Sequence, residues 1–231
     1  MKQIQLLSGG ATQGLVAQLR ERFAQRAGCE VQGTFGAVSL MKDKLLAGAP
    51  CDLLVLTDAL IRELGTQGHV DAAGARPLGV VKTGVAVRTG EAMPEVDTPE
   101  ALTAALKAAR GIYIPDPLKA TAGIHFMKVL KALGLDGELA GRLHAFPNGA
   151  TAMAELANAQ GPGLIGCTQV TEILFAPGVE LAGLLPVQFE LATVYTAGVC
   201  TRAQNPADAA AFIALMASDE AAALRAQGGF V

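Results

Sequence analysis

Tryptophan is absent from this chain and tyrosine occurs only twice, so aromatic residues make up 4% of it. That scarcity fits poorly with an aromatic cage or a stacking platform for bases. Cysteine is scarce too, and Cys29, Cys51, Cys167 and Cys200 lie far apart with no C-x-x-C pair. Such spacing speaks against a structural zinc site or a disulfide framework and for buried free thiols in a reducing compartment. No apolar run reaches the roughly 18 residues needed to span a bilayer, so no membrane insertion is expected. No secretory signal is expected ahead of Ile4. The location read from the chain is therefore cytoplasmic, or periplasmic if a signal peptide has been removed. Charge of one sign is missing as well: 18 Lys and Arg stand against 21 Asp and Glu, a net charge of −3. No nucleic-acid partner is expected from that balance. Neither a metal nor an organic cofactor is expected.

What remains is small and apolar. Apolar residues make up 51% of the 231, enough for one large or two small domains. Strand-like and helix-like segments alternate, the signature of βαβ units and an α/β fold. Strands are expected at 4–7, 30–35, 52–57, 79–88, 111–115, 142–146, 163–167, 179–185 and 192–201. Leu15, Leu19 and Phe23 recur four residues apart, the spacing of one helix face. Further helices are expected at 40–47, 58–67, 98–109, 122–133, 150–157 and 168–175, with an Ala-rich pair over 206–227. The long β-branched segments 79–87 and 191–199 read as crossovers between two lobes. Residues 1–80 with 195–231 then form a discontinuous first lobe and residues 81–194 a second, with a ligand cleft between them.

Five strand-to-helix junctions share one chemistry. They are Ser8-Gly9-Gly10-Ala11-Thr12, the run from Thr34 through Gly36 and Ala37 to Ser39, the run from Asp116 to Gly123, Asn148-Gly149-Ala150-Thr151, and Gly166-Cys167-Thr168-Gln169. Small residues let a ligand reach the backbone, and hydroxyl or amide side chains cap a helix or donate to an anion. A helix N-terminus adds unpaired N–H groups and the positive end of its dipole. One such junction is usually only an N-cap; five together point to a shared anion site. The donors expected are Ser8, Gly9, Gly10, Thr12, Gly36, Ala37, Ser39, Thr121, Asn148, Gly149, Ala150 and Thr168, with Tyr195 projecting from the return crossover.

Four segments carry a resemblance to a known family: Ser8–Leu15, Leu45-Leu-Ala-Gly-Ala-Pro-Cys-Asp52, Asp116-Pro117 with Ala122-Gly123-Ile124, and Gly163-Leu-Ile-Gly166. Their order and spacing resemble the molybdate-binding-protein family over nearly the whole chain. The resemblance implies a type II periplasmic-binding-protein fold: two Rossmann-like lobes, a two-strand hinge and a small anion held at helix N-termini. Two departures stand out. Gly10 replaces an anion-donating Ser of that family, and Gly166 stands where a cleft Tyr is common. Fewer side-chain donors and more room suit a di- or tricarboxylate better than a compact oxyanion.

The chain is also similar to bacterial aconitate isomerases, which use this fold to interconvert cis- and trans-aconitate. Such chemistry needs a base that removes a proton beside a carboxylate and returns it at an allylic carbon. His125, Lys119 and Glu172 are the candidates, each with a plainer alternative. His125 fits interlobe packing, Lys119 fits an exposed loop, and Glu172 fits a helix dipole. Cys167, next to a helix start, is a further thiol to weigh. Three functions stay open: a polycarboxylate protein, including an isomerase; the receptor of an ABC importer for molybdate or a similar oxyanion, with a permease as partner; and a ligand-sensing module.

Overall fold

The computed structural model describes residues 2–231. Contacts divide the chain into two compact units, residues 1–81 with 193–231 and residues 82–192. The chain passes from one to the other within the strand Arg76–Arg88 and returns at Ala192–Val199.

The first unit opens with β1 (Lys2–Gly9), whose last four residues are all buried. A 3-10 turn over Gly10–Thr12 leads into α1 (Gln13–Ala27). Leu15, Leu19 and Phe23 line the buried face of α1, and the helix stops at Gly28 in the left-handed region at φ 61°. Next come β2 (Cys29–Gly36), α2 (Val38–Leu46), β3 (Leu53–Thr57) and α3 (Asp58–Thr66). β1 is parallel to both β2 and β3, as βαβ crossovers require. The strand order is β2-β1-β3-β9, where β9 (Ala192–Val199) returns antiparallel to β3. Two C-terminal helices (Pro206–Ala217 and Ala222–Gln227, α8 and α9 below) complete the unit, and Phe212 of α8 meets Phe23 of α1 with ring centroids 4.9 Å apart.

Asp52 pins this unit together. It is 3% exposed, and one carboxylate oxygen accepts from the Gln5 N–H at 2.8 Å. The other accepts from Gln204 and Asn205 N–H at 2.6 and 2.8 Å. A single side chain thus joins β1, the start of β3 and the entry to α8, which accounts physically for the Asp that closes the Ala-Gly-Ala-Pro-Cys-Asp segment. The chain end adds a pairing that no sequence pattern announced: Val231 and Val80 exchange backbone hydrogen bonds at 2.7 and 2.9 Å.

The second unit begins in β4 (Arg76–Arg88) and continues through α4 (Pro99–Ala108), β5 (Gly111–Pro115), α5 (Thr121–Ala132), β6 (Leu143–Phe146), α6 (Gly149–Asn158), β7 (Leu164–Gln169), α7 (Val170–Leu174) and β8 (Val179–Leu184). Its order is β8-β4-β7-β5-β6, with β5 parallel to β6 and β7, and β4 antiparallel to β7 and β8. Alternate residues of one strand feed opposite cores. Val85, Val87, Ile165 and Cys167 join Leu102, Leu106, Phe126 and Leu130 in one. Ala86 and Leu164 join Met153, Leu156 and Ile173 in the other.

Two expectations need correcting here. The helix expected over 168–175 begins later and is shorter, because Thr168 and Gln169 continue β7 by pairing with Gly84 and Thr83 of β4. Gly166 does not widen a cleft. A Cβ there would stand 2.4 Å from Met153 Cε and 3.0 Å from Leu156 Cδ2, so the glycine lets α6 settle on β7.

Candidate functional site

In the first unit the junctions after β1 and β2 lie side by side, because Gly9 and Gly36 are register partners at the carboxyl ends of parallel strands. Ligands of open α/β sheets bind beyond such ends. Ser8 and Thr12 are completely buried and turn their hydroxyls inward. Ser8 Oγ donates to Gly9 O at 2.9 Å, and the two hydroxyls bond each other. Neither side chain caps the helix, because a 3-10 turn intervenes before α1. The pair shapes the loop, in which Gly9, Gly10 and Ala11 are all buried. Gly9 admits no side chain: a Cβ would lie 2.9 Å from Val38 Cγ1 and 3.0 Å from Tyr195 Cε1. Tyr195, 2% exposed and opposite Thr57, therefore packs its ring across the β1 junction. Ala37 leads into α2 without a side-chain cap, and Ser39, half-buried, is the second residue of that helix.

In the second unit, Asp116 Oδ1 accepts from Leu118 and Lys119 N–H at 2.8 and 3.0 Å, an Asx turn that brings the chain into α5. Lys119 is exposed there, and Thr121 is the first, half-buried residue of α5. Gly123 explains the Ala-Gly of the motif, since its Cβ would fall 2.3 Å from Asp116 O. His125 bonds Phe189 O through Nε2 at 2.8 Å and so tethers α5 to the segment before β9.

The junction before α6 holds a feature the sequence reading did not assemble. Asn148 caps α6 by accepting from Thr151 N–H at 2.8 Å. The next N–H, that of Gly149, donates to Glu172 Oε1 at 3.2 Å. Thr168 Oγ1 donates to Glu172 Oε2 at 2.5 Å, and the N–H groups of Ala150 and Gln169 also favour the charged carboxylate. Glu172 is 8% exposed, with no cationic side chain among these partners. Burial outweighs the hydrogen bonds and raises its pKa above the ordinary Glu value. The helix N-terminus expected to take a ligand thus carries the protein's own carboxylate. Gly149 is the position that permits this, because a Cβ would lie 2.0 Å from both Glu172 Oε2 and Thr168 Oγ1. One faint signal was available in the sequence: the four-residue spacing of Thr168 and Glu172.

The thiol beside this site is not activated. Cys167 is wholly buried on the other face of β7, and burial pushes its pKa up. The reading of Cys167 as a helix-end thiol is corrected by the extra length of β7. Two further hydroxyls, Thr83 Oγ1 and Thr171 Oγ1, are buried without a hydrogen-bond partner among the described residues. Thr83 pairs with Gln169 at the end of β7, and Thr171 is the neighbour of Glu172.

A family model described as bacterial extracellular solute-binding protein matches residues 4–231. The chain belongs to this family. It is a solute-binding protein and has the type II periplasmic-binding-protein fold. The periplasmic molybdate-binding protein of Azotobacter vinelandii superposes with a TM-score of 0.82 at 21% identity, covering 99% of this chain and 98% of that one. The sulfate-binding protein SubI of Mycobacterium tuberculosis superposes with a TM-score of 0.73 at 18% identity, covering 100% and 86%. Among curated proteins, an aconitate isomerase of Pseudomonas sp is 24% identical over 228 residues, 94% of this chain and 83% of that protein. No helix among the described residues is long and apolar enough to cross a membrane.

Proposed function

We propose that this solute-binding protein takes a di- or tricarboxylate and moves a proton on it, in the manner of an aconitate isomerase. The observation that carries the proposal is Glu172, a buried carboxyl with a raised pKa on the N–H groups of α6 and the hydroxyl of Thr168. With the Glu172 carboxyl on Gly149 N–H and Thr168 Oγ1, those donors are already taken and do not serve a compact oxyanion. A carboxyl whose pKa is raised toward neutrality suits general acid–base work. The likeness to the aconitate isomerase supports the same reading.

The step needs one proton and no redox partner. Glu172 takes a proton from the saturated carbon beside a substrate carboxylate, leaving an allylic anion spread onto that carboxylate. The proton returns at the far allylic carbon, the double bond shifts, and the geometrical isomer forms. Thr121 and the side-chain amide of Asn148, in the same unit as Glu172, are the groups proposed to hold a substrate carboxylate.

The test is an ultraviolet assay with each aconitate isomer, paired with calorimetry against aconitates, citrate, molybdate and sulfate. Wild type is expected to bind and interconvert the aconitates, whereas Glu172→Gln binds them without turnover. Binding of molybdate with no binding of any carboxylate sinks the proposal. That outcome favours the second reading, an ABC importer receptor with a permease partner, for which the molybdate-binding structure is the supporting observation. Cell fractionation checks location, and an extracellular family leads us to expect the chain outside the cytoplasm.

A further inference from the structure

Cys51 and Cys200 are 149 residues apart in sequence, yet their sulfurs stand 3.4 Å apart. Both are buried, at 9% and 3% exposure, and both are free thiols. The sheet brings them together. β3 and β9 run antiparallel with Leu53 opposite Val199, and Cys200 N–H donates to Asp52 O at 2.9 Å just beyond that pair. Asp52, fixed by its own three hydrogen bonds, holds the backbone on which both cysteines sit. The two cysteines line a cavity of about 250 Å³ together with His69, Thr201 and Arg202.

We propose that Cys51 and Cys200 are a disulfide site, closed by exchange with a small-molecule disulfide and joining β3 to the returning strand. The Cys200 thiol donates to Cys51 Sγ, which favours the Cys51 thiolate and holds Cys200 protonated. Cys51 therefore attacks first. Its sulfur bonds one sulfur of the reagent, and the other leaves as a thiolate carrying the electron pair. Cys200 gives its proton to solvent and attacks Cys51 Sγ, expelling the second thiolate. Two protein thiols are oxidised, one reagent disulfide is reduced, and both leaving thiolates take up protons from water. The closed loop contains the entire second unit, residues 82–192. Such a cross-link restricts the unfolded chain most when the loop is long. The extracellular station of the family is where such a bond persists.

The experiment incubates the purified chain with oxidised glutathione and maps thiols after denaturation without reductant. The expected result is a cross-linked peptide pair containing Cys51 and Cys200, with Cys29 and Cys167 still free. A higher melting temperature, reversed by dithiothreitol, is expected with it. Cys51→Ala and Cys200→Ala each lose the cross-link and the temperature shift. Four titratable thiols after incubation, a stable glutathione adduct on Cys51 alone, or a cross-link between other cysteines would overturn the proposal. The wild-type map decides even if a variant does not fold.

Discussion

A buried carboxyl is costly in its charged form, so Glu172 makes stability depend on pH in a definite direction. Its folded-state pKa lies above its unfolded value. Between the two values the folded chain binds more of this proton than the unfolded chain. The contribution is therefore fully present below the ordinary Glu pKa and is lost as pH rises through the raised one. Glu172→Gln keeps the shape and one acceptor oxygen for Gly149 N–H, turns an amide N–H toward Thr168 Oγ1, which can accept it, and removes the charge. Thermal unfolding across pH is expected to show the variant gaining on wild type as pH rises from acid to neutral. A constant difference at every pH contradicts this. At the same scale, the sequence pointed to the junction at Asn148-Gly149 and missed its occupant. Local pattern shows which N–H groups a helix leaves unpaired, but a side chain arriving from 23 residues away is a tertiary fact.

Elements were more legible than their contacts. Four-residue spacing marked α1, and alternating apolar runs with small-residue turns marked most strands, because those periods reflect burial on one face. Boundaries moved where a neighbouring strand decided them, as at Thr168 and Gln169, which β4 draws into β7. Gly166 was misread because a glycine in a strand reports close approach without saying by what; here it is Met153 of α6. The Asp that ends the Ala-Gly-Ala-Pro-Cys-Asp segment was recognised as a motif, yet its three N–H partners come from β1 and from the approach to α8. Asp52→Asn replaces one acceptor oxygen by an amide that faces N–H donors. Urea unfolding is expected to show a loss of about 2–5 kcal/mol, since hydrogen bonds to a buried charge are among the strong ones. An unchanged midpoint would mean that these elements hold together without the carboxylate.

At the scale of the molecule, the chain forms two α/β units, the first of them discontinuous in sequence. The family and fold follow from the matched length of the chain. The ligand does not, because relatives of this fold bind chemically different anions on the same framework. The proposal of an acid–base role rests on the buried acid placed on the N-terminus of α6. Incubation with cis-aconitate in deuterated water, followed by proton magnetic resonance of the substrate, reports on that acid most directly. Wild type is expected to replace substrate C–H hydrogen with deuterium as the trans isomer forms, and Glu172→Gln to bind the substrate and leave every C–H intact. Substrate bound by wild type with no exchange, or equal exchange in the variant, would contradict Glu172 as the carrier of the proton.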